Sequence, residues 1–267
     1  MYTTDTQFET LQIARDARGV ATLQLARAEK HNALNATMIS ELRYAARLLG
    51  DDESVRVVIL AAAGKSFCAG GDLGWMREQA EHDRTTKMAE SSRLAHMLHA
   101  IDNLPKPVIA QVQGPAYGGG LGMLSVCDIV IATTGARFGF TETRLGLIPA
   151  TIGPYVVRRL GEGRARQVFM NARIFSAQEA LELGLVSFLV ADVELQETVE
   201  VEVQRFLACA PGAVADAKAL CLHLARNPGG EHLGYTAERL ADRWETEEAR
   251  EGIAAFFAQR KPRWRED

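Results

Sequence analysis

The chain has 267 residues, 47% of them hydrophobic and 24% charged, which is enough apolar side chain for one large domain or two small ones. A net charge of −4 leaves no overall basic footprint for nucleic acid or an anionic membrane, while still permitting a local basic pocket for a phosphorylated ligand. The longest apolar run, Val57–Ala63, is far shorter than the roughly 20 residues a spanning helix needs, and the N-terminus shows neither the basic start nor the apolar stretch of a secretory signal.

In chain order, Val20–Leu25 alternates at period two and reads as a strand. Met38, Ile39, Leu42, Ala45, Ala46 and Leu49 then follow helical spacing, with Asn35 or Thr37 near the N-cap. Val55–Ala61 is a continuous run rich in β-branched residues, the pattern of a strand buried on both faces. A polar-rich helix is expected over 79–103, then a strand at Val108–Val112 entered through Pro105-Lys106-Pro107. A Gly-rich turn at 114–120, a short helix and a strand at Ile129–Ala132 complete an alternation that argues for α/β architecture with crossover helices. Beyond about residue 160 the strand signal largely stops, and 162–170, 177–183, 194–208, 212–225 and 231–258 suit helices, the last broken near Glu245. The expected division is an α/β core over 1–195 and a helical region over 196–267 that packs on the core or on neighbouring subunits.

The four cysteines, Cys68, Cys127, Cys209 and Cys221, form no C-x-x-C pair and are expected to be reduced thiols in a cytoplasmic protein. Cys68 has no histidine near it in sequence to activate it and is expected to pack as a small hydrophobe. His96, His99 and Asp102 share a helical face, but no third ligand is evident, so a structural role is expected and no metal. Packing is likewise expected of Tyr117 and Ser125.

Glycine marks three segments where chemistry can sit. In Ser66-Phe67-Cys68-Ala69-Gly70-Gly71-Asp72-Leu73, small residues after a strand let backbone approach a ligand, and free N–H groups can donate to an oxyanion. Asp72 can cap a helix beginning near Leu73. In Gln113-Gly114-Pro115-Ala116-Tyr117-Gly118-Gly119-Gly120-Leu121-Gly122, three consecutive glycines at a strand-to-helix junction expose N–H groups at a positive helix end, suited to phosphate or a thioester oxyanion. In Phe138–Pro149, Glu142 stands among apolar residues and glycines; it is either a buried carboxyl with a raised pKa, useful for proton transfer, or an exposed partner of Arg144.

Together, in this order and spacing, the three segments resemble the crotonase (enoyl-CoA hydratase/isomerase) superfamily, from Arg27–Leu34 to the tail Phe256–Pro262. The resemblance implies a spiral of ββα repeats with a C-terminal helical trimerisation region, a homotrimer or hexamer, and an acyl-CoA thioester as substrate, with no cofactor beyond the CoA that the substrate carries. It implies an oxyanion hole made by the N–H groups of Gly71 and Gly119, with Glu142 as the acid–base group. The CoA would rest on Lys30, His31, Ala33, Ala69, Asp72, Leu73 and Trp75, with Phe256 reaching it from a neighbouring subunit. The family's usual tail lysine is Gln259 here, leaving Arg260 or Lys261 to supply charge.

One departure matters. Hydratases of the family commonly place a second glutamate just after the glycine triplet, and that position is Gly122. Gly71–Arg77, Gly120–Met123 and Thr141–Val157 look like bacterial 3-methylglutaconyl-CoA and isohexenylglutaconyl-CoA hydratases of leucine and acyclic-terpene breakdown, which share that glycine. Their substrates carry an extra carboxylate, for which Arg77, Arg84 and Arg144 are candidate partners. The resemblance therefore implies a branched glutaconyl-CoA hydratase. A Δ3-Δ2 enoyl-CoA isomerase with one glutamate and a non-catalytic acyl-CoA-binding protein are the alternatives.

Overall fold

The computed structural model describes residues 2–3 and 7–265. Strands β1 (Tyr2–Thr3), β2 (Leu11–Arg15) and β3 (Val20–Leu25) pair antiparallel in succession. Helix α1 (Ala36–Asp51) crosses over to β4 (Val57–Ala62), which lies parallel to β3. Of the two possible caps it is Asn35 that starts α1, its Oδ1 accepting the Met38 N–H at 2.9 Å. The helical stretch expected over 79–103 is two helices, α2 (Leu73–Glu81) and α3 (Arg84–Asp102), because Asp83 caps a new helix by accepting the Thr86 N–H at 2.8 Å.

The chain then forms β5 (Val108–Val112), β6 (Ala116–Tyr117), α4 (Gly119–Val126), β7 (Ile129–Thr133) and β8 (Arg137–Gly139). Helices α5 (Gly153–Leu160) and α6 (Glu162–Phe169) follow, separated by Gly161. The strand signal does not end at 160: β9 (Ile174–Ser176), helix α7 (Ala177–Leu183) and β10 (Phe188–Val190) come next. Three-residue strands are too short to show a period, which is why composition there reads as helix or loop. The last elements are α8 (Leu195–Leu207), α9 (Pro211–Arg226), α10 (Leu233–Trp244) and α11 (Glu247–Phe257), with the break near Glu245 where the sequence places it. Among the described residues the main sheet has seven strands in the order β1-β2-β3-β4-β5-β7-β10, parallel from β3 onward; β6, β8 and β9 form a second sheet. The architecture is α/β with a helical C-terminal region.

Both faces of the main sheet are buried. One packs against α1, α3, α4 and α5 through residues such as Leu42, Leu60, Leu98, Ala110 and Val156. The other carries Val20, Val57, Ile109 and Ile131, covered by Leu195, Val199 and Val203 of α8. Helix α8 is thus part of the core layer, and the expected division at residue 195 falls at its first turn.

The first two glycine segments follow β4 and β5 at the carboxyl ends of the main sheet's parallel strands, the edge where open α/β sheets bind ligands, and the third follows β8, which pairs with β6 of the second segment. The C-terminal helices are tied to the opposite edge. Lys218 of α9 donates to Lys106 O at 3.1 Å and Asp128 Oδ2 at 2.8 Å, just before β5 and β7. Arg56, just before β4, donates to the carbonyls of Leu207, Cys209 and Trp264. Asp102 is 2% exposed and pairs with Arg158 of α5 and Arg226 of α9, while His96 and His99 are exposed. Among the described residues no single helix is long and apolar enough to cross a membrane; α8 and α9 pass that test only as a pair bent by 102°.

Candidate active site

The loop after β4 is fixed by buried amides. Asn32 is fully buried, and its Nδ2 donates to Ala63 O at 2.8 Å and Ser66 O at 2.9 Å, while Oδ1 accepts the Arg27 N–H at 3.0 Å. Gln113 Nε2 donates to the carbonyls of Ala62, Gly64 and Ser66. Leu34 then pairs with this loop as a single parallel bridge, donating to Gly70 O at 2.7 Å and accepting from Asp72 N at 2.9 Å. In such a bridge the residue between the two bonded neighbours turns its own N–H to the other side. Gly71 therefore presents an unpaired N–H away from Leu34.

The second loop depends on Gly118, whose φ of 48° and ψ of −117° suit a residue without Cβ. Its carbonyl accepts from the Leu121 and Gly122 N–H groups and opens α4, leaving the Gly119 and Gly120 N–H groups unpaired at the positive helix end. Cys68 packs beneath Gly120, and burial pushes its thiol up to about 12 against one opposing Gly70 hydrogen bond, so it is the packed hydrophobe the sequence suggests.

Glu142 begins a short 3-10 turn, Glu142–Leu145, after β8. The turn is anchored from both sides. Phe140 packs edge-on against Phe169 at 4.8 Å, Thr143 Oγ1 donates to Phe169 O at 3.1 Å, and Leu147 N donates to Glu142 O at 3.1 Å. The carboxyl reaches the second loop: a Cβ on Gly118 would stand 3.2 Å from Glu142 Oε1. Among the described residues Glu142 Oε2 is buried with no partner, and burial raises the carboxyl above its ordinary range, opposed only by a hydrogen bond from its own backbone. Among the described residues Glu142 has no salt bridge, and Arg144 is exposed, so the exposed pair does not form.

Gly71, Trp75, Gly119 and Glu142 line one cavity of about 640 Å³. Two unpaired N–H donors and a buried carboxyl in one cavity can hold an oxyanion and move a proton beside it. At its edge the Lys30–Ala33 turn meets the Ala69–Leu73 loop, with Ala69 N donating to His31 O at 3.0 Å. Lys30, His31, Ala69 and Leu73 are exposed there, and Ala33 is buried. Asp72 caps α2 by accepting from Gly74 and Trp75 and pairs with Arg27 at 3.1 Å. Burial acts to raise its carboxyl, but the Trp75, Arg27 and Gly74 donors outweigh that and lower it.

Phe256 and Lys261 are exposed and follow elements tied to the opposite edge, so the chain does not bring them to its own cavity. Ser125 is buried and donates to Leu121 O at 2.8 Å, a packing role, and Tyr117 lies in the second sheet. Arg77, Arg84 and Arg144, the expected cations, are exposed and none lines the cavity; Lys87, exposed like them, does, and its Nζ donates to Ala80 O at 3.0 Å. Nothing in the sequence distinguishes Lys87 and Glu90, because a polar-rich helix offers many such residues and only packing selects the ones that face a cavity. Among the described residues no cluster of three or more His, Cys, Asp or Glu is placed to hold a metal.

The space beside Gly122 is filled. A Cβ there would stand 2.3 Å from Ile152 Cγ2 and 3.6 Å from Leu98 Cδ1, and Ile152 is 2% exposed. Gly122→Glu is therefore expected to destabilise the protein by about 1–3 kcal/mol from overpacking. A melting experiment on the double-mutant cycle checks this: Ile152→Ala should cost less with Glu at 122 than with Gly.

The model of the enoyl-CoA hydratase/isomerase family matches residues 15–267. A solved enoyl-CoA hydratase from Shewanella pealeana superposes with a TM-score of 0.93 at 38% identity, over 97% of each chain. The short-chain-enoyl-CoA hydratase of Clostridium acetobutylicum is 34% identical over 245 residues, 91% of this chain and 92% of its own. The mitochondrial methylglutaconyl-CoA hydratase of Mus musculus is 30% identical over 274 residues, 98% of this chain and 84% of its own. A cavity pairing unpaired backbone donors with a buried glutamate, on a chain so similar to these enzymes along nearly its whole length, leads to one conclusion: the protein is an enzyme of the enoyl-CoA hydratase/isomerase family.

Proposed function

We propose that the protein adds water to a branched glutaconyl-CoA, 3-methylglutaconyl-CoA or its isohexenyl analogue, through a thioester enolate. The Gly71 and Gly119 N–H groups hold the thioester oxygen as it gains charge, and Glu142 carries the proton at C2. Because these donors are fixed before substrate arrives, their alignment costs no reorganisation in the transition state. The CoA lies across the lip formed by Lys30–Ala33 and Ala69–Leu73, and Phe256 and Lys261 reach the nucleotide from a neighbouring subunit of a trimer or hexamer. No cofactor is needed beyond the substrate's own CoA, and the protein works in the cytoplasm.

The observation that carries the substrate choice is Lys87 on the wall of the cavity that contains Glu142. A second carboxylate on the acyl chain meets that ammonium, while Leu94, Leu145, Leu147 and Ile148 of the same wall take the hydrocarbon branch. Loss of enoyl-thioester absorbance on incubation with 3-methylglutaconyl-CoA tests the reading, and no turnover with it or the isohexenyl analogue overturns the substrate assignment. Lys87→Ala is expected to raise KM for the glutaconyl thioester about fivefold, the ~1 kcal/mol upper scale of an exposed charge contact, and to leave KM for crotonyl-CoA unchanged. One observation favours Δ3-to-Δ2 isomerisation as a second reading: Ile152 fills the space beside Gly122, so α4 offers no second carboxylate. A 2-enoyl product formed from a 3-enoyl-CoA without solvent oxygen distinguishes it.

A further inference from the structure

Among the described residues four buried side-chain polar atoms lack any hydrogen-bond partner: Trp75 Nε1, Glu90 Oε2, Glu142 Oε2 and His232 Nδ1. The first three belong to residues that line the cavity. Buried polar groups in folded proteins are nearly always paired, so three orphans around one cavity mark it as a place built for polar atoms of a ligand or water. One of the three is a second carboxylate. Glu90 is only 13% exposed, and its Oε1 takes the Arg93 guanidinium at 3.0 Å on the solvent side, while Oε2 stays unpaired and buried.

Its position on α3 explains how the cavity has two carboxylates despite Gly122. Glu90, Leu94 and Leu98 succeed one another at i, i+4 and i+8, so they share one face of the helix. Leu98 is the end of that face nearest Gly122, and Leu94 and Glu90 line the cavity beyond it. Ile152 occupies the space beside Gly122, and the second carboxylate that lines the cavity is carried by α3.

We propose that Glu90 is the second acid–base carboxylate of this enzyme, holding the attacking water in the role that Gly122 leaves without a side chain. This rests on the hydratase reading above. The water oxygen bonds to C3 as one of its protons passes to Glu90, and the C2=C3 electron pair moves onto the thioester to form the enolate. The enolate returns its pair to C2 and takes a proton from the Glu142 carboxyl. Proton exchange with solvent then restores Glu90 as carboxylate and Glu142 as acid.

The test compares wild type, Glu90→Gln and Glu90→Asp for steady-state hydration of crotonyl-CoA and 3-methylglutaconyl-CoA, with calorimetric affinity for butyryl-CoA, a saturated thioester that cannot react. Glu90→Gln is expected to lower kcat at least 100-fold, the low end for loss of an acid–base group. KM and butyryl-CoA affinity should stay within threefold, and Glu90→Asp, which keeps a carboxylate, should retain more activity than Gln. A merely structural role would weaken thioester binding in parallel with kcat; that outcome, or a Glu90→Gln kcat within threefold of wild type, overturns the proposal. Wild-type hydration of crotonyl-CoA alone overturns only the branched-substrate assignment. Wild-type failure with every 2-enoyl-CoA overturns the hydratase reading, and the role of Glu90 with it.

Discussion

Replacing Glu142 by Gln is expected to lower kcat for 2-enoyl-CoA hydration by about 10²–10⁴-fold, the range for removing a positioned acid–base group. The amide keeps the shape of the carboxyl, so packing around the 3-10 turn and the close approach to Gly118 survive, but it can neither give nor take the proton at C2. Steady-state kinetics on wild type and variant check the effect, and KM should change little if, as proposed, the thioester oxygen is held by the Gly71 and Gly119 N–H groups.

The same substitution has an opposite consequence for stability. Burial raises the Glu142 carboxyl in the folded protein, so the native state binds this proton more tightly than the unfolded chain does. Its favourable contribution is therefore present below the unfolded value and is lost as pH rises through the raised folded value. Glu142→Gln lacks that loss. Its melting temperature at neutral pH should match or exceed that of wild type, with a shallower fall from the acid side of the carboxylate range, as for sites whose function strains stability. A lower neutral-pH melting temperature for the Gln variant would show that the carboxylate has a stabilising partner.

Deleting one backbone donor is the second large effect. Placing glycolic acid at position 71 replaces the Gly71 N–H with an ester oxygen and adds no side chain. One preorganised oxyanion donor contributes about 3–4 kcal/mol in other systems, so kcat should fall about 10²–10³-fold. Because the enolate carries more charge on its thioester oxygen than the bound substrate does, the loss should appear in kcat far more than in KM. The ester also weakens the Gly70 carbonyl that accepts the Leu34 N–H, so the α-hydroxy analogue of leucine at position 34 is the control: it keeps the side chain, breaks the bridge from the other strand and leaves the Gly71 N–H in place. A similar loss at both positions would mean that loop geometry, and not the donor, sets the rate.

Much of the sheet could be read from the chain. Val57–Ala62, Val108–Val112 and Ile129–Thr133 are central strands covered on both faces, which writes them as dense apolar runs, while Val20–Leu25 shows itself by period-two alternation. The short strands β6, β9 and β10 could not be read that way, because two or three residues owe their pairing to neighbours and not to pattern. Glycine clusters after strands are common in plain turns, so Gly71, Gly119 and Glu142 stand out only through the joint order and spacing of the three segments, which resembles the enoyl-CoA hydratase/isomerase family. Ile152, Lys87 and Glu90 do not stand out, since each becomes part of the site only when the Thr151–Ile152 segment and α3 fold against the cavity. Arg77, Arg84 and Arg144 are drawn from residue type alone, and the fold leaves all three outside the cavity that Lys87 lines.

The joint action of Glu142 and the two backbone donors is tested most directly by running the reaction in ²H₂O enriched in ¹⁸O and weighing the 3-hydroxyacyl-CoA product. Wild type should place one carbon-bound deuterium at C2 and one solvent oxygen at C3, and Glu142→Gln should form this product at least 100-fold more slowly. Product formation by the Glu142→Gln variant at a near-normal rate, or a product without deuterium at C2, would contradict the assignment of Glu142 to the enolate.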